Sequence, residues 1–193
     1  MKRRLLITGF DPFGGEQVNP AWETVKNLPD QVGDFSLCKL EIPTVFSLAA
    51  QTVLKKAWEF DPHVILCVGQ AGGRSAVTPE RIGINFRNAS IPDNVGNQPA
   101  EETIVPGGAD GYFSTVPVSA MAQAIMNAGI PAAVSNTAGT FVCNETLYLL
   151  LHHYLGTPVQ VGFIHVPYFP EQGSPNLSPA ETLRALEAAI TAL

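Results

Sequence analysis

The sequence predicts one domain of the α/β class: an open, twisted, mostly parallel sheet with helices on both faces, an α/β/α sandwich. Three observations predict it. Compact apolar runs alternate along the chain with segments of helical spacing. The apolar runs are continuous rather than alternating, as in strands covered on both faces. The length of 193 residues fits one domain with a sizeable core, since domains run about 100–200 residues.

Taken in order, residues 4–10 (RLLITGF) form a compact apolar run closed by Asp11-Pro12 and Gly14-Gly15, a strand followed by a loop. Asn19-Pro20 supplies an N-cap and a proline at the first helical position, and Trp22, Val25 and Leu28 follow at helical spacing as far as Pro29. A short strand is expected over residues 35–42, and a helix over residues 45–60 that Asp61-Pro62 stops. Residues 63–69 (HVILCVG) read as a strand buried on both faces. Residues 70–111 are rich in Gly, Pro and Asn and nearly aperiodic, apart from a candidate strand at residues 82–86; so long an irregular insertion usually carries function. A helix over residues 118–128 ends at Gly129, and residues 131–136 read as another buried strand. Beyond the Gly139 turn, Leu147, Leu150, Leu151 and Tyr154 mark one helix face, and a strand follows over residues 159–166. Ser178-Pro179-Ala180-Glu181 is a capping box launching a last helix whose core face is Leu183, Leu186, Ile190 and Leu193.

Composition narrows the function. Charged residues are 15% of the chain and the formal charge is −6, which gives no general attraction to nucleic acid or to anionic lipid. The uncharged stretch 111–144 is broken by Pro117, Gly129 and Pro131, so no membrane span is expected. Lys2-Arg3-Arg4 precede an apolar run too short for a secretion signal. Cys38, Cys67 and Cys143 are an odd number without a Cys-x-x-Cys pair, so neither a disulfide framework nor a zinc site is expected, and the compartment expected is the reducing cytoplasm.

Ligands of open α/β sheets gather at the carboxyl ends of the strands, which selects the loops at residues 10–15, 69–73, 137–143 and 165–167. Cys143 is the one cysteine in such a loop, within a turn of a helix start. There, unpaired N–H groups and the helix dipole stabilise a thiolate or an oxyanion. Cys38 and Cys67 fall within strands and read as small buried hydrophobes. A base is needed, and His165 closes a strand at the ligand edge; His63 opens one at the opposite edge, and His152 and His153 lie late in a helix. Asp11, Glu80, Asp93 and Glu171 are all candidates to orient the imidazole, and spacing does not choose among them. Phe10, Phe13 and Phe141 flank these loops, either as core or as walls for a flat uncharged ring. Gly69-Gln70-Ala71-Gly72-Gly73 lacks the spacing of a nucleotide loop, and no Gly-x-Ser-x-Gly elbow occurs.

Six segments stand in one order: GFDPFGG (9–15) with Asn19-Pro20, VGQAGGR (68–74), PERIGIN (79–85), IPDNVGNQP (91–99), SNTAGTFVCN (135–144) and GFIHVPYFPEQ (162–172). Together they make the chain resemble the pyroglutamyl-peptidase I family. The resemblance implies a cytoplasmic cysteine peptidase that removes N-terminal pyroglutamate from peptides, as a homotetramer without metal or cofactor. It implies Cys143 as nucleophile, His165 as general base and Glu80 as the orienting carboxylate. It further implies Phe13 and Phe141 as the pair enclosing the lactam ring, with Phe10, Asn19 and Gln70 nearby.

Two positions depart from the family pattern. Ser90 stands where many members carry an arginine thought to assist the oxyanion, so either the backbone N–H groups suffice for that task or Arg87 reaches over in its place. Glu145 stands where histidine is frequent, and its charge is expected to raise the thiol pKa. Two other functions compete: a nucleoside-phosphorylase-like transferase, because sheets of this size host that chemistry too, and a non-catalytic lactam-binding homologue.

Overall fold

The computed structural model describes residues 2–193. Its main sheet has the order β2-β3-β1-β4-β8-β5. The central strands β1 (Arg3–Phe10), β3 (Phe35–Ile42), β4 (Val64–Gln70) and β8 (Gln160–Val166) are parallel. The two-residue edge strands β2 (Gln31–Val32) and β5 (Thr78–Pro79) are antiparallel to their neighbours. Side chains alternate along each strand, and both faces are buried. Leu5, Ile7, Val64, Leu66, Val68, Ile164 and Val166 pack against α1 (Pro20–Asn27), α3 (Val118–Asn127) and α5 (Pro179–Thr191). Leu6, Ile65, Cys67, Val161 and Phe163 face α2 (Leu48–Phe60) and α4 (Val142–His153). The two-faced sandwich is therefore the one the continuous apolar runs imply. No helix among the described residues is long and apolar enough to cross a membrane.

Local signals act where the sequence places them. The Asn19 side chain accepts from the Ala21 N–H and Pro20 occupies the first turn of α1. Both halves of the Ser178–Glu181 capping box form at α5. Three expectations need correction. Residues 131–136 are not a buried strand: they touch the sheet only through the isolated bridges Val77↔Ala132 and Glu80↔Ser135. The strand they run beside is a two-residue edge containing Pro79, and Pro79 and Pro131 have no N–H to give to a ladder. The second helix begins at Leu48 and not at residue 45, because Ser47 has a φ of +61° and leaves the helical region. The candidate strand at 82–86 is shorter, β6 (Ile82–Ile84), and pairs with β7 (Gly111–Phe113) in a separate ribbon. The long insertion thus folds as a small sheet that braces α4.

The β1–α1 connection depends on a close approach. A Cβ on Gly9 would lie 2.5 Å from the Trp22 Cα, a collision with backbone that no rotamer relieves. Gly9→Ala is expected to lower the free energy of unfolding by about 1–3 kcal/mol, measured by urea denaturation.

Candidate active site

Cys143, His165 and Glu80 lie together at the carboxyl edge of β4 and β8, Glu80 and His165 in direct contact. His165 lies opposite Gly69 in the β4–β8 register, so the two positions share one face of the sheet. A Cβ on Gly69 would stand 3.0 Å from the Cys143 Sγ and 2.8 Å from the Phe163 ring. The sulfur therefore rests over a strand position that has no side chain, beside the strand that carries the imidazole. Cys143 is the second residue of α4, after the cap residue Phe141. It is among the first residues of the helix, whose N–H groups lack intrahelical acceptors. Asn144 pins this helix to the insertion, its side chain donating to the Ile84 and Phe86 carbonyls and accepting from the Ile84 N–H.

Of the candidate carboxylates, Glu80 is the one in contact with His165. Its Oε1 lies 2.7 Å from His165 Nδ1, and both side chains are almost fully buried. The same oxygen accepts from Arg74 Nη1 at 2.6 Å, and Arg74 also donates to the Thr78 hydroxyl and the Thr137 carbonyl. Asp11 and Asp93 are engaged elsewhere: Asp11 accepts from the Thr44 N–H, and Asp93 from the N–H groups of Phe46, Val95 and Asn97. His63 accepts from the Arg4 N–H at the far edge of the sheet, and His152 bonds the Tyr112 hydroxyl.

These surroundings set the protonation states. Burial holds His165 below its usual value against the pull of Glu80, and the Arg74 charge adds to the lowering. Burial opposes ionisation of Glu80, but the hydrogen bonds from His165 and Arg74 keep it below the usual carboxylate range. Burial, then the charge of Glu80, push the Cys143 thiol up to about 12, although Arg74 and the residue's own N–H act the other way. The helix start does not outweigh desolvation, contrary to the sequence expectation of a lowered thiol pKa. The resting site is a neutral thiol beside a neutral imidazole. An ionised carboxylate accepts and does not donate, so His165 presents Nδ1–H to Glu80 and keeps the lone pair on Nε2.

Phe13 and Phe141, the pair expected to wall a slot, meet at the start of α4. Phe13 and Phe141 lie 5.9 Å apart between ring centroids, tilted by 36°. A flat ring held between two others needs roughly 7 Å, twice the 3.5 Å contact distance, so the slot stands closed. Phe13 sits in the loop with left-handed Gly14 and Gly15, whereas Phe141 is the cap residue of α4. Phe10 is buried in the core against Phe163. Asn19 spends both ends of its amide on the backbone, at Asp11 O and Ala21 N. Gln70 ends β4, its Oε1 accepting from Gln172.

Two expectations about charge do not hold. Arg87 does not stand free for an oxyanion: Nη1 binds Glu145 at 2.6 Å, and Nη2 and Nε bind Glu102 at 2.7 and 2.9 Å. Glu145 does not act on the thiol, since its oxygens are taken by Arg87 and by the Ser47 N–H. Spacing alone gives no sign of either pairing, nor of the Arg74 contact to Glu80; each joins segments that only the fold brings together.

A buried neutral imidazole links stability to pH. The unfolded imidazole takes up a proton near 6.5 and the folded one only at lower pH, so the unfolded state binds more protons below that value. Stability is expected to fall as pH drops below about 6.5, with a smaller slope in His165→Gln, measured by urea unfolding at pH 7.5 and 5.5.

Comparison with known proteins gives a consistent result. A family model described as pyroglutamyl peptidase matches residues 3–193. Pyrrolidone-carboxylate peptidase of Levilactobacillus brevis is 52% identical over 198 residues, covering 98% of this chain and 97% of that protein. The Lactobacillus helveticus protein of the same name is 48% identical over 191 residues, covering 97% and 95%. The crystal structure of pyroglutamyl peptidase I from Bacillus amyloliquefaciens superposes with a TM-score of 0.96 at 46% identity, over 100% of this chain and 95% of that one. With one fold and one residue pattern shared over nearly its whole length, the chain belongs to the pyroglutamyl peptidase family.

Proposed function

We propose that the protein is a cysteine peptidase that removes an N-terminal pyroglutamyl residue from peptides. The observation that carries the reading is the Glu80–His165 bond at the strand position beside the one over which the Cys143 sulfur lies. Membership of the family supports it, and nothing in the comparisons supports a phosphorylase.

His165 Nε2 takes the thiol proton as the sulfur attacks the pyroglutamyl carbonyl, so that a C–S bond forms and the carbonyl oxygen becomes an oxyanion. A thiol raised to about 12 ionises only as its proton is received, so the imidazole acts in the step itself. Glu80 holds the imidazolium that results. Unpaired N–H groups of the first turn of α4, including that of Cys143, stabilise the oxyanion; with Arg87 bound to two carboxylates, this task rests on the backbone. The C–N bond then breaks, and the departing amine takes the proton from His165. Water, giving its proton to His165, cleaves the thioester and restores the thiol.

Recognition follows from what pyroglutamate lacks. It has no charged amine, so an apolar slot with a few amide-binding groups suits it. Phe13 and Phe141 enclose the lactam once Phe13 has moved out. Gln70, steadied by Gln172, meets its amide edge, and Phe10 and Asn19 support these loops from beneath. Oligomerisation as a tetramer and a cytoplasmic location belong to the same proposal.

Cys143→Ala is expected to abolish hydrolysis of a pyroglutamyl-naphthylamide in phosphate-free buffer while circular dichroism stays unchanged. Near-parental turnover in that variant would refute the reading; turnover that requires phosphate would favour the transferase. Binding of 2-pyrrolidone without any turnover in the parent would favour the binding protein. Gly69→Ala, which crowds the sulfur, is expected to lower kcat about 10²-fold, the size that follows from a displacement of about 1 Å, as measured in the same assay.

A further inference from the structure

One wall of the aromatic slot is held from outside the slot. The Phe141 ring meets the edge of Phe46 at 5.2 Å and 87°. Phe46 belongs to the corner ahead of α2, where the cap residue Ser47 has a φ of +61° and makes no side-chain cap bond. Such a φ is sparsely populated by residues other than glycine, and persists only where the surroundings enforce it. Here two carboxylates do so. Asp93 Oδ2 accepts the Phe46 N–H at 3.0 Å, and Glu145 Oε2 accepts the Ser47 N–H at 2.5 Å.

Glu145 lies two residues beyond the nucleophile and is 1% exposed. A carboxylate so deeply buried stands only with partners for its charge. Its other oxygen takes Arg87 Nη1 at 2.6 Å, and the Arg87 guanidinium also lies 6.0 Å over the Phe46 ring. The negative charge faces the N-terminus of α2, where the helix dipole favours it. Every partner of Glu145 is thus at the Phe46 corner, none at the sulfur.

We propose that Glu145, with Arg87, is a positioning residue for substrate recognition: the ion pair clamps the Phe46–Ser47 corner, and Phe46 sets the Phe141 ring as the fixed wall against which the lactam packs. The proposal rests on the peptidase reading above. It separates binding from chemistry, because the clamp sets ring affinity while the sulfur and imidazole keep their places. Loosening the corner lets the Phe141 ring tilt, and a five-membered lactam loses flat contact with it.

The test measures kcat and KM for a pyroglutamyl-naphthylamide, and the inhibition constant of 2-pyrrolidone, in the parent, Glu145→Gln, Glu145→Leu, Phe46→Leu and the Phe46→Leu/Glu145→Leu double variant. Glu145→Leu is expected to raise KM and the inhibition constant about tenfold while kcat falls less than about threefold, the signature of lost binding rather than lost chemistry. Glu145→Gln, which keeps a carbonyl oxygen for the Ser47 N–H, is expected to raise both about threefold. The double variant is expected to be no worse than Glu145→Leu alone, because both changes act through one ring. Constants within twofold of the parent in a folded Glu145→Leu, or multiplying effects in the double variant, would overturn the proposal. If Glu145→Leu does not fold, Glu145→Gln and its combination with Phe46→Leu carry the same cycle. A parent without turnover sinks the peptidase reading itself, whereas an active parent with unmoved constants sinks only the clamp.

Discussion

The site depends on a missing side chain. Because Gly69 carries no Cβ, the Cys143 sulfur and the Phe163 ring share the space above β4, and the register of β4 with β8 sets His165 beside that space. Parallel strands hold such a register to a fraction of a residue spacing, since a slip of one residue would turn the imidazole to the opposite face. Cys143 itself comes from a helix and not from the sheet. Its position is therefore set by how α4 docks, which the Asn144 bonds to β6 and its neighbour and the Tyr148 hydroxyl on the Ala109 carbonyl determine. The long insertion, irregular in sequence, is in this sense the mount of Cys143.

Electrostatics follow the same economy. Two buried carboxylates flank the start of α4, and each is paired with an arginine: Glu80 with Arg74, Glu145 with Arg87. The pairs do different things. Arg74 adds to the larger effect of His165 in keeping Glu80 ionised against burial, and the ionised carboxylate accepts the imidazole N–H. Arg87 confines the charge of Glu145 to the α2 corner and away from the thiol. Desolvation dominates what remains, leaving thiol and imidazole both neutral at rest. A preformed ion pair is not what these surroundings stabilise.

Much of the architecture is legible in residue order. Continuous apolar runs such as VILCVGQ become strands buried on both faces, and Asn19-Pro20 and the Ser178–Glu181 box start helices because their side chains satisfy N–H groups within three residues. Cys143 and His165 are legible too, as they lie where helix starts and strand ends meet ligands in such sheets. Residues 131–136 mislead because apolar composition says nothing about whether a strand has a neighbour with free N–H groups. Ser47 misleads because helical composition continues through a residue that tertiary contacts hold outside the helical region.

The sequence by itself determined the alternating elements, their caps and the identity of a thiol and an imidazole at the working edge, because each of these rests on residues within a few positions of one another. Only the tertiary structure decided that Glu80, 85 positions from His165, is its partner, that Arg87 serves Glu145 and not an oxyanion, and that the thiol is protonated at rest. Those outcomes depend on distance through space and on exclusion of water, and both are properties of the packed chain rather than of any segment.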